Sequence, residues 1–332
     1  MTDITAIVPL DLRLRPKDIL KKAVRMVIAA QASDFRIVFG LNDHGTRHEQ
    51  LLKKSLAKLT SSQLISSRLS GDVVNISALR NLAFTAVETP YLALLDVDIW
   101  PDFALFEKYR DKIAQGKKPF YFLPCLYLTE KGSSRLIKQA EHTQSLTERY
   151  FSFSRKEFLH LASPSSITVM KAADYQALGG FNSDFTGHGY EDFDFMLRLA
   201  SRYGEIQHAP DFLSQQAARS PLFATGFKRE LGRLCIDTLL EKDFVYHIHH
   251  TKMPFSRFYS SRASNYEKFS ALHSSFVGGE IREDPTLISE FLKRCCDIGK
   301  SISEYSILFE NKPGHIDRYD TLRRRLRFLL ND

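Results

Sequence analysis

Tyr91-Leu92-Ala93-Leu94-Leu95-Asp96-Val97-Asp98 is the stretch on which the fold of this chain turns. Its first five residues form an unbroken apolar run, the pattern of a parallel β-strand covered on both faces. The run passes straight into two carboxylates separated by one residue. Upstream, strand-like runs at Ile4–Val8 and Phe35–Leu41 alternate with helical spacing, seen first in Ile19, Leu20, Ala23, Val24, Val27 and Ile28. A charged helix then extends to about Thr60, an extended piece lies near Gln63–Leu69, and Asn75 or Ser77 caps a further helix. Strands alternating with helices imply right-handed βαβ units and an α/β fold with an open, doubly wound, mostly parallel sheet. Ligands of such sheets bind beyond the carboxyl ends of the strands. Pro9, Asp43, Asp96 and Asp98 all stand at such ends, so distant segments are expected to line one crevice.

Downstream, a strand is expected over Phe120–Leu128, a polar and partly helical stretch over Thr129–Phe151, and a short strand over Ser166–Lys171 followed by a helix to Leu178. Then comes Gly179-Gly180-Phe181, and after it Gly187-His188-Gly189-Tyr190-Glu191-Asp192 opening an apolar-periodic segment. The glycines leave room for a ligand to approach the backbone. Glu191 and Asp192 fall in the first helical turn, where the helix N-terminus stabilises their ionised forms. One reading of the two acids is that they only complement the helix dipole; the other is that one serves as general base for a hydroxyl group. Similarly, Asp96 and Asp98 either cap a turn or hold a hard divalent cation beside a diphosphate. A helical stretch over about Leu222–Leu240 precedes Tyr246-His247-Ile248-His249-His250, where strand alternation sends His247 and His249 to one face and His250 to the other. Neutral imidazoles are competent ligands for Mn²⁺.

With 43% hydrophobic and 26% charged residues, the 332-residue chain has the composition of a soluble globular protein. No run could span a bilayer and no leader is apparent at the start, so a cytoplasmic protein is expected. Cys125, Cys235, Cys295 and Cys296 lack metal-knuckle spacing and are expected to be reduced core residues. The net charge of +7 favours anionic partners, yet no nucleic-acid-binding signature accompanies it. A C-terminal helix carries Tyr319, Leu322, Leu326, Leu329 and Leu330 on one face, with Arg323, Arg324, Arg325 and Arg327 around it. Two roles stand open for it, peripheral contact with an anionic membrane or docking on the main domain or a second copy.

Taken together and in this order, the Asp96-Val97-Asp98 triplet, the glycine and Glu191-Asp192 block and the late histidines resemble GT-A glycosyltransferases of the β-1,4-galactosyltransferase and bacterial chondroitin-polymerase type. The resemblance covers residues 1–265 and leaves 266–332 as a helical extension. It implies that Asp98 binds Mn²⁺ (or Mg²⁺), with His247 as first choice among His247, His249 and His250 to complete the ligands. It implies Asp96 facing the ribose, Asp192 as catalytic base and Glu191 orienting the acceptor. Pro9 and Arg13 resemble the family's nucleotide loop, Asp43 its uracil-facing acid, and Arg80-Asn81 the pair before the metal strand, while Gly187, His188 and Gly189 would border the donor or acceptor sugar. His188 and Tyr190 depart from the family's usual Trp and small residue, so the sugar is not carried over. The implied activity is inverting transfer from a nucleotide sugar, UDP-sugar first, to an oligosaccharide or lipid-linked acceptor in bacterial capsule or lipopolysaccharide synthesis. Two other classes remain consistent with the residues alone: a metal-dependent nucleotidyltransferase or pyrophosphatase, and a non-catalytic sugar-binding module.

Overall fold

In the computed structural model, residues 3–216, 218–251, 257–281, 283–311, 322 and 326 are described. The first half follows the alternation read from the sequence: β1 (Ile4–Leu10), α1 (Pro16–Ala30), β2 (Phe35–Asn42), α2 (Arg47–Leu56), β3 (Ser62–Ser67), α3 (Ile76–Phe84) and β4 (Tyr91–Leu94). Helix α2 starts with a capping box in which Thr46 and Glu49 satisfy each other's backbone N–H groups. The Asn75 side chain caps α3 by accepting from Ala78 N–H. β1 is buried throughout because it is central, pairing in parallel with β2 on one side and β4 on the other. After β4 come α4 (Phe103–Ala114), β5 (Phe120–Phe122), β6 (Cys125–Leu128), α5 (Glu130–Gln139), α6 (Thr143–Phe151), β7 (Phe158–Ala162) and β8 (Thr168–Lys171). The six-stranded sheet has the order β3-β2-β1-β4-β8-β5, with β8 antiparallel to β4. It is thus mostly parallel, as expected.

The remaining elements are α7 (Ala172–Ala177), α8 (Glu191–Arg202), α9 (Gly226–Arg233), α10 (Ile236–Leu240), β9 (Val245–His247), α11 (Arg262–Leu272) and α12 (Ile288–Asp297). The chain divides into two compact units that interleave in sequence, so residue 265 falls inside the first of them. The first comprises residues 1–121, 166–205 and 251–272 and carries the sheet built on β1; the second comprises 122–165, 206–250 and 273–332. In the second unit, β6 pairs antiparallel with β7 and parallel with β9. Its core includes Leu126, Leu136, Leu146, Phe212, Leu231 and Phe291.

Three local expectations are corrected. The run Phe120–Leu128 is two strands of different sheets, broken at Leu123-Pro124 where proline offers no N–H to a ladder. The stretch 222–240 is broken into a short 3₁₀ turn, α9 and α10; Gly226 opens α9 at φ 58° with its N–H on Asp211, and α9 stops at Arg233. Of the four cysteines, Cys125, Cys235 and Cys295 are buried, whereas Cys296 is exposed rather than in the core. Among the described residues no helix is long and apolar enough to cross a membrane. Leu322 and Leu326 are helical and exposed, whereas Tyr319, Arg323, Arg324, Arg325, Arg327, Leu329 and Leu330 lie outside the described residues.

Candidate active site

The first unit supplies two acidic groups. Asp96 and Asp98 leave the end of β4 in different surroundings. Asp96 accepts from Arg80 Nη2 at 2.7 Å and from Ser166 Oγ at 3.4 Å, and about a third of its side chain stays exposed. Asp98 is buried, and three hydrogen bonds reach its carboxylate from α1 and the residue before it: Arg15 Nη1 at 3.0 Å and Lys22 Nζ at 2.7 Å to Oδ1, and Arg15 Nη2 at 2.7 Å to Oδ2. Asp43, at the end of β2, pairs with Lys53 and accepts from Gly45 N–H at 3.1 Å; the Lys53 bond holds its carboxyl below the usual range. Arg13 lies at the mouth of β1, which ends just past Pro9, and is paired with Asp11 at 2.8 Å.

The second acidic group stands at the start of α8. Asn81, on α3, clasps the first glycine turn, donating to Phe181 O at 2.8 Å and accepting from Phe181 N–H at 2.9 Å. Its oxygen also accepts from Tyr175 Oη at 2.7 Å, so the amide is committed to structure. Tyr190, the residue before α8, has a left-handed backbone at φ 74°, a conformation that costs a bulky residue energy and is held by its surroundings. Arg262 lies over its ring at 5.1 Å. Gly187 and Gly189 are left-handed at φ 71° and 107°; a Cβ would come 2.7 Å from Phe258 O at Gly187 and 2.9 Å from Arg262 Nη1 at Gly189. The space expected for a ligand at these two α-carbons is therefore filled by the chain's own 257–272 segment. His188 donates its N–H to Phe258 O at 2.8 Å.

Glu191 corrects the expectation that the helix N-terminus keeps both acids ionised. Its carboxyl is pushed up to about 8, first by burial and then by the charge of Asp192, which together outweigh the bond it accepts from Gly189 N–H at 2.8 Å. Asp192 is half-buried and accepts from Phe193 N–H at 2.9 Å. Near neutral pH the pair thus carries a neutral Glu191 beside the more open Asp192. Because the native carboxyl keeps its proton while the unfolded chain releases it near 4.5, stability contributed by Glu191 is complete below that pH and is lost as pH rises towards 8. Glu191→Gln should flatten the pH dependence of the unfolding free energy, measured by urea titration between pH 5 and 8, by up to about 1.4 kcal/mol per pH unit. An unchanged slope would show that Glu191 is ionised in the native state.

Arg80 ties the two acidic groups together. Its guanidinium bonds Asp96, lies 4.7 Å over the Phe181 ring, and acts on Glu191 as a favourable charge. It is buried, and its Nε and Nη1 find no acceptor among the described residues.

In the second unit, β9 ends at His247. The His247 ring stacks on Tyr127 at 4.3 Å, and Tyr127 stacks on His160 at the same distance. Strand alternation does not continue to residue 250: the His250 ring lies 5.4 Å from that of His247, while His249 is placed by its N–H donating to Ser133 Oγ at 2.7 Å. The expected pairing of His247 with His249 is thereby replaced by His247 with His250, because the strand stops before the period of two reaches them. Sequence reasoning missed Arg15 and Lys22. The signal for them was a charge pattern, since Arg15, Asp18 and Lys22 are spaced three and four apart and so share one helix face.

No curated protein matches the chain. Among solved structures, Staphylococcus aureus TarS 1-349 aligns at 14% identity over 59% of this chain and 55% of its own, with TM-score 0.35. The catalytic domain of Drosophila β1,4-galactosyltransferase 7 in complex with xylobiose aligns at 16% identity over 60% of each chain, with TM-score 0.31. Glucosyl-3-phosphoglycerate synthase of Mycobacterium tuberculosis, in complex with Mn²⁺, UDP-glucose and phosphoglyceric acid, aligns at 10% identity over 85% of this chain and 82% of its own, with TM-score 0.35. The chain spans less than two thirds of the length of the first two of these. The family described as "Glycosyltransferase like family 2" matches residues 28–273, which contain β2 to β9, both acidic groups and the histidines. The chain belongs to this family of glycosyltransferase family 2-like proteins.

Proposed function

We propose that this chain is an inverting, metal-dependent glycosyltransferase that moves a sugar from a UDP-sugar to a saccharide hydroxyl in bacterial surface-polysaccharide synthesis. The observation that carries the reading is Arg80. One buried guanidinium bonds the strand-end acid Asp96, acts as a favourable charge on Glu191 at the start of α8, and still holds two nitrogens without an acceptor among the described residues. A donor's nucleotide on one side and an acceptor's hydroxyl on the other are what two such acidic groups serve.

In this reading Asp96 takes the ribose hydroxyls, Asp43 the uracil and Arg13 the nucleotide loop's phosphates, and the turn around His188 borders the sugar. Asp98 offers a hard carboxylate oxygen and His247 is the imidazole proposed to accompany it, a donor chemistry that fits Mn²⁺. The cation, when bound, supplies positive charge to the departing diphosphate. Asp192 accepts the proton of the attacking hydroxyl, and neutral Glu191 donates a hydrogen bond that fixes the acceptor without adding a second negative charge. Attack from the face opposite the leaving group inverts the anomeric centre, through an oxocarbenium-like transition state.

A donor that binds only the native state stabilises it, by about 2.7 kcal/mol at a hundredfold excess over its dissociation constant. Wild-type protein with Mn²⁺ and one UDP-sugar should therefore melt at higher temperature than alone, and Asp98→Ala should lose most of that shift. No stabilisation by any UDP-sugar would remove the uridine donor from the proposal.

A further inference from the structure

Asp98 is occupied by the chain's own cations. Both guanidinium nitrogens of Arg15 and the ammonium of Lys22 reach its two oxygens at 2.7–3.0 Å, which engages three of a carboxylate's about four lone-pair positions. The arrangement is buried: Lys22 and Asp98 are 5% and 6% exposed. Asp18, one turn along α1, accepts from the same two cations, from Arg15 Nη1 at 2.8 Å and from Lys22 Nζ at 3.1 Å. Two positive and two negative groups thus meet at the end of β4. Helix geometry brings this about, because Arg15, Asp18 and Lys22 lie three and four residues apart on one face.

A divalent ion cannot simply add to this cluster. On Asp98 it would sit beside an ammonium and a guanidinium that already share the carboxylate. Moving those cations away breaks their bonds to Asp98, and separating a buried ion pair is strongly unfavourable. A nucleoside diphosphate changes the balance. Its phosphate oxygens match a guanidinium in fork geometry and an ammonium as a point charge. Its negative charges offset the two that the metal brings.

Resting on the glycosyltransferase reading above, we propose that Arg15 and Lys22 are an internal counter-cation pair for Asp98, which keeps a divalent ion off the carboxylate until a nucleoside diphosphate takes the two cations over. Metal and nucleotide then bind as a coupled pair, with Arg15 and Lys22 as positioning residues for the diphosphate.

The test is Mn²⁺ binding, read from the electron paramagnetic resonance signal of free aquo-Mn²⁺ and corrected for the ion held by UDP in solution. Wild-type protein should bind Mn²⁺ weakly alone and at least about tenfold more tightly with saturating UDP, within the usual range of coupling between two ligands. Lys22→Met should bind Mn²⁺ at least about tenfold more tightly than wild type without UDP, with a correspondingly smaller gain from UDP. Arg15→Gln should move in the same direction and stands in should Lys22→Met not fold. Equal Mn²⁺ affinity of the wild type with and without UDP would overturn the proposal, as would variants that bind the ion no more tightly than wild type. Asp98→Asn separates this from failure of the underlying reading: Mn²⁺–UDP binding that survives it intact would remove Asp98 as the metal ligand altogether.

Discussion

Asp192→Asn is expected to lower the rate of sugar transfer by about 10²–10⁴-fold, the range that a positioned general base contributes. The effect should fall on kcat, with donor binding retained. Asparagine keeps the shape of the side chain and an oxygen able to accept from Phe193 N–H, the bond Asp192 accepts at 2.9 Å, so the start of α8 should persist. What it loses is the capacity to take a proton. Glu191→Gln should cost much less near neutral pH, since burial already keeps Glu191 protonated and glutamine can both donate and accept. Nucleoside diphosphate release in the presence of a responsive acceptor measures both variants, and the Mn²⁺-dependent thermal shift with the donor checks that binding survives. Wild-type turnover by Asp192→Asn would take Asp192 out of the base role and direct attention to Glu191.

The largest effect on stability is expected at Arg229. It is 1% exposed and makes four hydrogen bonds within the second unit: to Glu230 Oε1 at 3.0 Å, to the two oxygens of Asp211 at 3.0 and 3.1 Å, and to Pro285 O at 2.9 Å. Glu230 is fully buried as well. Removing one partner of such an arrangement leaves buried charge and a carbonyl with poorer company than water would give them. Arg229→Leu is expected to cost about 3–5 kcal/mol, seen as a large drop in the urea midpoint of the second unit. Arg36→Ala is the contrasting case. Its pair with Glu88 spans 3.5 Å with both side chains more than half exposed, and its loss should cost no more than about 1 kcal/mol. Similar costs for the two substitutions would show that solvent reaches Arg229 in the native state.

The sequence was legible where a local rule and the tertiary environment agree. The apolar run ending in Asp96-Val97-Asp98, the Asn75 cap and the acids opening α8 all follow from periodicity and capping, which involve neighbours along the chain. It was not legible where the partner of a group comes from far away. Nothing local indicates that the room beside Gly187 and Gly189 is filled from residues 257–272, or that Asn81 serves the backbone of Phe181, a hundred residues distant. Strand alternation failed at His249 and His250 for a related reason: the pairing of β9 with β6 stops at His247, and past that point the ladder no longer enforces the period.

By itself, then, the sequence determined the α/β class, the mostly parallel sheet, and the positions of the acids at strand and helix ends, because secondary-structure periodicity is a property of the chain's own spacing. Only the tertiary structure decided the partners of those acids and the protonation of Glu191. Burial and a neighbouring charge set Glu191 against the helix dipole, and the face of α1 brought Arg15 and Lys22 to Asp98. Desolvation and Coulomb interactions depend on distances through space, which no spacing along the chain records.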